Sequence, residues 1–490
     1  MPTERLSVTL CRCLLAIGLL LPLAAWAGIP PATPVQPSRP NVILIVSDDH
    51  GFGDIGWNNP AVKTPTLDAL ARDGVRLDRF YANPICSVTR AAMLTGVATL
   101  RTGVNNTNGL DLRYRILPQA FHDAGYQTWM CGKWHLGGNA DNAKSGEEYR
   151  PYRRGFDSFY GFLHGAIDYY DHTRKDLGQL DWQRNGTPVE EEGFTTDLLV
   201  EDAIRRLKER DTARPFLLYL AFNAVHGPLA PPPSAKDLGR REKRPILTAN
   251  LTHLDSAIGR LLAEIDAAGL RDSTIVLFFA DNGGQLSQGA SNAPLRGEKG
   301  GVFEGGIRVP AAIRWPGGLR PNAPSTQFIS VMDLFPTLCA AAGIPTGLEG
   351  TIDGVNLWPA LERGEAVERP AFVMGTREVA CIRPPWKLVR PGGTAAPMLF
   401  HIVEDPNETK DLASEHPEIV EQLSKELAAY SGGSGKGRGE GRGEGRGEGK
   451  RGEKSTTAPK RERGERPVNE KRETTAPPER RDSTSQGSGT

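Results

Sequence analysis

An unbroken apolar run at 42–46 follows Asn41, and a run without polar alternation is what a strand buried on both faces requires. Similar runs at 125–131, 216–222 and 274–280 predict further core strands. Between them, residues 64–73, 196–209 and 251–268 carry apolar positions at helical spacing, placed to serve as crossover connections. The pattern predicts an α/β fold. After a late helix at 331–343 the rhythm changes. Short strand-like pieces at 371–375, 386–389 and 398–402 lead to a closing helix at 417–430, which predicts a small C-terminal antiparallel sheet plus helix.

The two ends of the chain read differently. Arg5 and Arg12 precede the apolar run 14–23, and Ala25-Trp26-Ala27 offers a small-x-small cleavage site, so 1–27 is expected to be a signal peptide. The run is short of the roughly 20 residues a spanning helix needs, so no transmembrane anchor is expected after cleavage. Pro30, Pro31, Pro34, Pro37 and Pro40 make 28–40 a stiff linker. Residues 431–490 repeat Gly-Arg-Gly-Glu and hold three aliphatic residues and no aromatic, too few to build a core, so a disordered low-complexity tail is expected there. The whole chain of 490 residues balances 59 basic against 59 acidic side chains. Without its two ends the body is mildly acidic, which argues against nucleic acid as a partner. Of six cysteines, Cys11 and Cys13 leave with the signal; the remaining Cys86, Cys131, Cys339 and Cys381 are too few for a disulfide framework.

Polar chemistry collects where the predicted strands end. Asp48 and Asp49 follow the first run and precede Gly51 and Gly53, and Asp281-Asn282-Gly283-Gly284 repeats the construction after Ala280. Adjacent strand residues point to opposite faces, so both carboxylates share a target only if the chain turns, which glycine permits. In α/β sheets ligands bind beyond the carboxyl ends of strands, where both pairs would meet. Three carboxylates and an amide form an all-oxygen set suited to Ca²⁺ or Mg²⁺ and unsuited to zinc. Lys133 and His135, two apart, share one face of an extended segment; His226 follows the 216–222 run, and Lys299 lies in the glycine-rich stretch 295–300. With Arg90 they suggest an anion pocket beside the metal. Cys86 precedes the helix-like 91–94, at a helix N-terminus where free amides favour an anion.

These motifs together resemble the formylglycine-dependent sulfatases of the alkaline-phosphatase-like superfamily, and in detail the arylsulfatase B (N-acetylgalactosamine 4-sulfatase) group. The resemblance spans 41–430. It rests on Asp48-Asp49, Thr64-Pro65-Thr66-Leu67-Asp68, Cys86 to Arg90 with Leu94-Thr95-Gly96, and Gly132-Lys133-Trp134-His135-Leu136-Gly137. It continues through Arg154-Gly155-Phe156-Asp157, Asp168-Tyr169-Tyr170-Asp171-His172, Val225-His226, Asp281-Asn282-Gly283-Gly284 and Glu304-Gly305-Gly306. It implies a mostly parallel mixed sheet flanked by helices in a catalytic domain at 41–365, with the C-terminal subdomain at 366–430. It further implies that a formylglycine-generating enzyme oxidises Cys86, and that Asp48, Asp49, Asp281 and Asn282 hold one Ca²⁺ together with an oxygen of residue 86. Lys133, Lys299 and His226 would bind sulfate and the leaving-group side, Arg90 would hold the formylglycine diol, and His226 or Lys299 would protonate the departing alcohol. His135 would take the proton from the second hydroxyl as sulfate is expelled. The maturation signal departs from the pattern: Val88 stands where it usually has Pro, sometimes Ala, and Thr89 where Ser is common.

The activity so implied is hydrolysis of a sulfate ester on a sulfated carbohydrate or aryl sulfate, by an exported enzyme of a periplasmic, secreted or lysosome-like compartment. Two alternatives stand beside it: a phosphonate or phosphodiester hydrolase of the same superfamily, and an inactive glycan-binding protein with Cys86 unconverted. For substrate, Tyr169, Tyr170, His172, Gln285 and Asn292 are expected to pack on a sugar ring and bond its hydroxyls.

Overall fold

The computed structural model describes residues 39–431 except 175, 240–241, 322–324 and 349. The expected signal peptide, most of the proline-rich linker and the repetitive tail lie outside these residues. In chain order the first elements are β1 (Asn41–Ser47), α1 (Pro65–Arg72), β2 (Val75–Arg76), α2 (Cys86–Thr95), α3 (Leu117–Asp123), β3 (Gln127–Lys133) and β4 (Ser158–Phe162). Then come β5 (Gln183–Arg184), β6 (Thr187–Pro188), α4 (Thr195–Glu209), β7 (Phe216–Ala221), α5 (Lys243–Ala267), β8 (Thr274–Ala280), β9 (Ala311–Arg314) and α6 (Leu334–Ala341). The chain closes with β10 (Phe372–Gly375), β11 (Val379–Arg383), β12 (Trp386–Arg390), β13 (Met398–His401) and α7 (Pro417–Ser431).

Nine strands form one sheet in the order β2-β9-β8-β1-β7-β3-β4-β5-β6. Its centre, β8-β1-β7-β3-β4, is parallel, and antiparallel strands finish both edges. The interiors of β1, β7 and β8 are apolar because both faces are covered. Val42, Leu44 and Val46 of β1 point into one core with Leu217 and Tyr219 of β7, Ile275, Leu277 and Phe279 of β8, and helices α2, α3 and α6. Ile43 and Ile45 point into the other, against α1, α4 and α5. Burying each such aliphatic or aromatic side chain fully contributes about 1.5–3 kcal/mol.

The register fixes where the chemistry lies. Ser47 pairs with Ala280, Val46 with Ala221 and Ala221 with Gly132, so β1, β8, β7 and β3 end level. β1, first in sequence, lies between β7 and β8, so the strand order reverses there and opens a crevice at the carboxyl ends. Gly132 has φ +109°, and a Cβ there would sit 1.8 Å from the Ala221 carbonyl oxygen, so no other residue lets these strand ends approach so closely.

Two features differ from the sequence pattern. Helix α5 begins at Lys243, well before 251, because Ile246 and Leu247 extend its buried stripe and Pro245 falls in the first turn, where no helical hydrogen bond is lost. The C-terminal sheet has a fourth strand, β11, at its centre, in the order β10-β11-β12-β13, antiparallel throughout. No helix among the described residues is long and apolar enough to cross a membrane. Cys86, Cys131, Cys339 and Cys381 are all free thiols and buried.

Candidate active site

Asp48 leaves the end of β1 tied to its neighbours: its N–H donates to the Ala224 carbonyl at 2.9 Å, and its own carbonyl accepts from Val225 at 2.8 Å. Asp49 then takes φ +56°, a left-handed turn that aspartate tolerates better than most residues. That turn brings both carboxylates to one side. The Asp49 N–H donates to Asp281 Oδ1 at 3.3 Å, joining the ends of β1 and β8. Asn282 Nδ2 donates to Asp49 Oδ1 at 2.7 Å and to the Gly283 carbonyl, which turns its amide oxygen away from both.

The cations close on these acids individually. Lys133 Nζ donates to Asp48 Oδ2 at 2.5 Å, and both side chains are fully buried. Lys299 Nζ donates to the Asp49 carboxylate at 2.8 Å. Arg90, on the buried face of α2, spans the site: it donates to Asp281 Oδ2 at 2.8 Å, to the Lys133 carbonyl at 2.8 Å and to the Tyr219 hydroxyl at 3.0 Å. Cys86 is the first residue of α2, below free first-turn amides. Its thiol, one oxygen each from Asp48 and Asp49, and one His226 nitrogen lie within 4.8 Å of one another.

Three carboxylates and three cations balance before any ligand enters. Burial pushes the Cys86 thiol up to about 11, although Lys133 and Lys299 pull the other way, so an unmodified cysteine here is a neutral thiol at neutral pH. Burial lowers His226, and lowers His135 much further with the help of Lys133 and Arg90, so both rings stay neutral. Burial alone would lower the Lys299 ammonium, but the negative groups beside it, Asp49 and Asp48 among them, outweigh that and hold it protonated. His226 Nδ1 faces the Gly227 carbonyl, which only accepts, so Nδ1 carries the proton and Nε2, 3.8 Å from Asp49, presents its lone pair.

Asp48 Oδ1 and Asn282 Oδ1 are buried and have no hydrogen-bond partner among protein groups. Two such acceptors beside a carboxylate-rich cluster are costly to bury unless a cation meets them. The donor set around them is oxygen-only apart from residue 86 and His226, which fits a hard divalent ion. Burial and the Asp48 charge together push the Asp281 carboxyl above its ordinary value, which a cation would reverse.

Sequence reasoning missed several partners. Tyr219, which steadies Arg90, sits mid-strand in β7 and reads as core, with no sequence signal to separate it from Leu217 or Leu218. Lys133 and His135 do not share a strand face, since Lys133 ends β3 and His135 has φ +58°; the Trp134 and His135 amides instead bond the Phe162 and Leu163 carbonyls at the end of β4. The residues expected to touch sugar are mostly internal. Tyr169 (1% exposed) donates to the Asn223 and His226 carbonyls, and His172 (1%) stacks on Trp182 and meets the Gly193 carbonyl. Asn292 (2%) bonds Gly284 and Gly297. Tyr169 therefore props the His226 turn, while His172 and Asn292 hold loops; none of the three faces a ligand.

Comparison with known proteins meets this geometry. Mouse arylsulfatase J is 30% identical over 472 residues, covering 82% of this chain and 77% of the relative. Human N-acetylgalactosamine-6-sulfatase is 32% identical over 450 residues, covering 79% and 84%. Ps i-CgsB, solved in complex with k-i-k-neocarrahexaose, superposes with a TM-score of 0.73 at 28% identity, over 80% of this chain and 93% of that one. These relatives carry the family and not the 4-sulfatase group within it. The Sulfatase family model matches residues 40–344, where all the strand-end residues above reside, and the chain belongs to the sulfatase family.

Proposed function

We propose that this sulfatase cleaves sulfate monoesters of a glycan using residue 86 as a formylglycine nucleophile and Ca²⁺ as its metal. The observation that carries the reading is the convergence at one crevice of Cys86, the oxygen ligands Asp48, Asp49, Asp281 and Asn282, and the cations Arg90, Lys133 and Lys299. When bound, calcium and the formylglycine diol supply a hydroxyl acidic enough to act as nucleophile towards sulfur. A divalent ion added to the balanced cluster leaves it at a net charge of +2, which suits an anionic ester.

The chain's own residues do the rest. Lys133 and Lys299 orient the sulfate oxygens and offset charge that develops on them, in a buried site where such interactions are strong. Arg90, on the same helix as residue 86, donates to Asp281 Oδ2 and opposes the burial and the Asp48 charge that raise that carboxyl. Of the two residues able to protonate the leaving alcohol, Lys299 is favoured, since it holds a proton while His226 turns an unprotonated Nε2 to the cluster. His135, neutral and with Nδ1 free of protein partners, is available to accept a proton as the cycle closes. A sulfated hexosamine or galactose unit is the proposed substrate, in keeping with the sugars named for N-acetylgalactosamine-6-sulfatase and Ps i-CgsB. The Arg5-to-Ala27 segment supports export.

Mass measurement of the peptide containing residue 86, with Cys86→Ala and Asp281→Ala assayed beside it, tests the reading. The peptide should carry formylglycine, Cys86→Ala should lose turnover at least about 10³-fold while keeping its fold, and Asp281→Ala should lose calcium and activity together. Near-wild-type turnover by Cys86→Ala would end the mechanism.

A further inference from the structure

Beside the cluster lies a pocket of about 280 Å³ lined by His164, Gly165, Ala166, Ile167, Arg174, Asp176 and Pro228. Two of its residues tie it to the catalytic crevice. A Cβ on Gly165 would sit 2.7 Å from His135 Cε1, so the glycine backbone forms the face against which that ring rests. Pro228 follows His226 by two residues. The pocket therefore shares with the site the Gly165 wall on which His135 rests, and Pro228 brings it close to His226 along the chain.

Its polar lining, joined by Asp141 from outside it, is arranged around one guanidinium. Arg174, 8% exposed, donates through Nε at 3.1 Å to Asp176 Oδ1 and through its other nitrogens to Asp176 and Asp141. Its charge is thus spent within the protein. Asp141 and Asp176 are about half exposed at 47% and 62% of their side chains, so each keeps acceptor lone pairs turned to solvent. His164 Nδ1 bonds Asp181 Oδ2 at 2.7 Å, while its Nε2, buried, has no hydrogen-bond partner and stands 3.6 Å from Asp141. Among the described side chains here, the carboxylates of Asp141 and Asp176 both meet the one guanidinium of Arg174. Ala166, Ile167 and Pro228 add an apolar surface.

We infer that this pocket is a specificity subsite for an uncharged sugar ring next to the sulfated unit, with Asp141 and Asp176 accepting its hydroxyls and Arg174 holding both carboxylates in place. The inference rests on the sulfate-ester reading above and deepens it. Its volume lies at the small end of ligand pockets, as one ring requires, and its apolar surface suits a sugar face. A neighbouring ring that carries its own sulfate or carboxylate would meet Asp141 and Asp176 at close range, and like charges so opposed cost enough to reject it.

The test uses the full-length protein coexpressed with a formylglycine-generating enzyme and three probes: 4-nitrophenyl sulfate, monosulfated galactose disaccharides with an unsulfated neighbouring ring, and the same disaccharides with a second sulfate on that ring. Wild type should favour the monosulfated disaccharide by about tenfold or more in kcat/KM. Asp176→Asn and Asp141→Asn, at exposed positions, should each reduce that ratio severalfold, chiefly by admitting the doubly sulfated probe, and leave 4-nitrophenyl sulfate within about twofold of wild type. Turnover of 4-nitrophenyl sulfate with no preference between the disaccharides, or a preference untouched by either variant, would overturn the subsite. Failure of fully converted enzyme on all three probes would overturn the sulfate-ester reading, and the subsite with it.

Discussion

Val88 is where the chain departs from the maturation signal that the proposed function calls for. It is the third residue of α2 and fully buried, and Thr89 beside it is the first whose amide bonds within the helix, to the Ile85 carbonyl. A proline at 88 would therefore sacrifice no helical hydrogen bond, and its fixed φ suits a first turn. Its advantage would come earlier, because proline biases the residue before it towards extended backbone, which a maturation signal read in extended form would use. Val88→Pro should raise the formylglycine fraction on coexpression with the modifying enzyme while changing stability by less than about 1 kcal/mol. Mass spectrometry of the residue-86 peptide checks the first and denaturant unfolding the second; wild type already fully converted would remove the motive for the change. Asp48, Asp49, Cys86, Lys133 and Asp281 were legible in the sequence as candidates because each stands at a strand end or helix start. Tyr219 was not, since a tyrosine inside an apolar run has no mark of the arginine it will meet.

β1, β7 and β8 could be read nearly to the residue because strands covered on both faces have no polar interruptions to blur their ends. β4 and β11 could not: Ser158–Phe162 and Val379–Arg383 are five-residue segments whose pairing partners, β3 and β12, define them more than their own composition. Nor does sequence join Glu304, Lys387 and Glu408. In the structure Lys387 Nζ, wholly buried on β12, lies 3.0 Å from Glu304 Oε1 and 2.8 Å from Glu408 Oε1. The Tyr81 hydroxyl donates to Glu304 at 2.9 Å, and the Glu304 amide donates to Glu408 Oε2 at 2.7 Å. This cluster grips the segment that carries Lys299: Arg296 donates to the Glu408 carbonyl and lies over the Phe303 ring, while the Gly300 amide bonds Pro84, two residues before Cys86. Burial pushes the Glu408 carboxyl up, with Lys387 holding it back, so removing the lysine leaves two acids facing each other in a dry interior. Lys387→Met should cost about 3–5 kcal/mol and lower kcat with it, and adding Glu408→Gln should recover part of the loss. A single variant within 1 kcal/mol of wild type in urea unfolding would show that the cluster is not what anchors this loop.

The enzyme needs its C-terminal sheet to cover the catalytic core. The four-stranded C-terminal sheet divides its side chains by strand period: Phe372, Met374, Ala380, Ile382, Val389 and Phe400 join the main core, whereas Val373, Val379, Cys381, Leu388 and Leu399 pack on Leu423 and Leu427 of α7. Its backbone is tied in as well. The Thr99 hydroxyl donates to the Gly375 carbonyl at 3.0 Å, and the Gly375 amide donates to Asn83 Oδ1 at 3.1 Å, close to the start of α2. Ending the chain at 365 would therefore uncover a wide apolar face, leave Glu304 buried without Lys387 and release the turn that leads to Cys86. Residues 432–490, with no aromatic and only three aliphatic side chains, have nothing comparable to contribute to a core. A chain ending at 431 should keep wild-type turnover and melt within about 2 °C of the full-length protein, while one ending at 365 should aggregate or lack a cooperative transition. Calorimetry and 4-nitrophenyl sulfate turnover on the two truncations separate the cases; a cooperative, active 365-residue product would mean that the C-terminal sheet is an appendage and that the catalytic core closes without it.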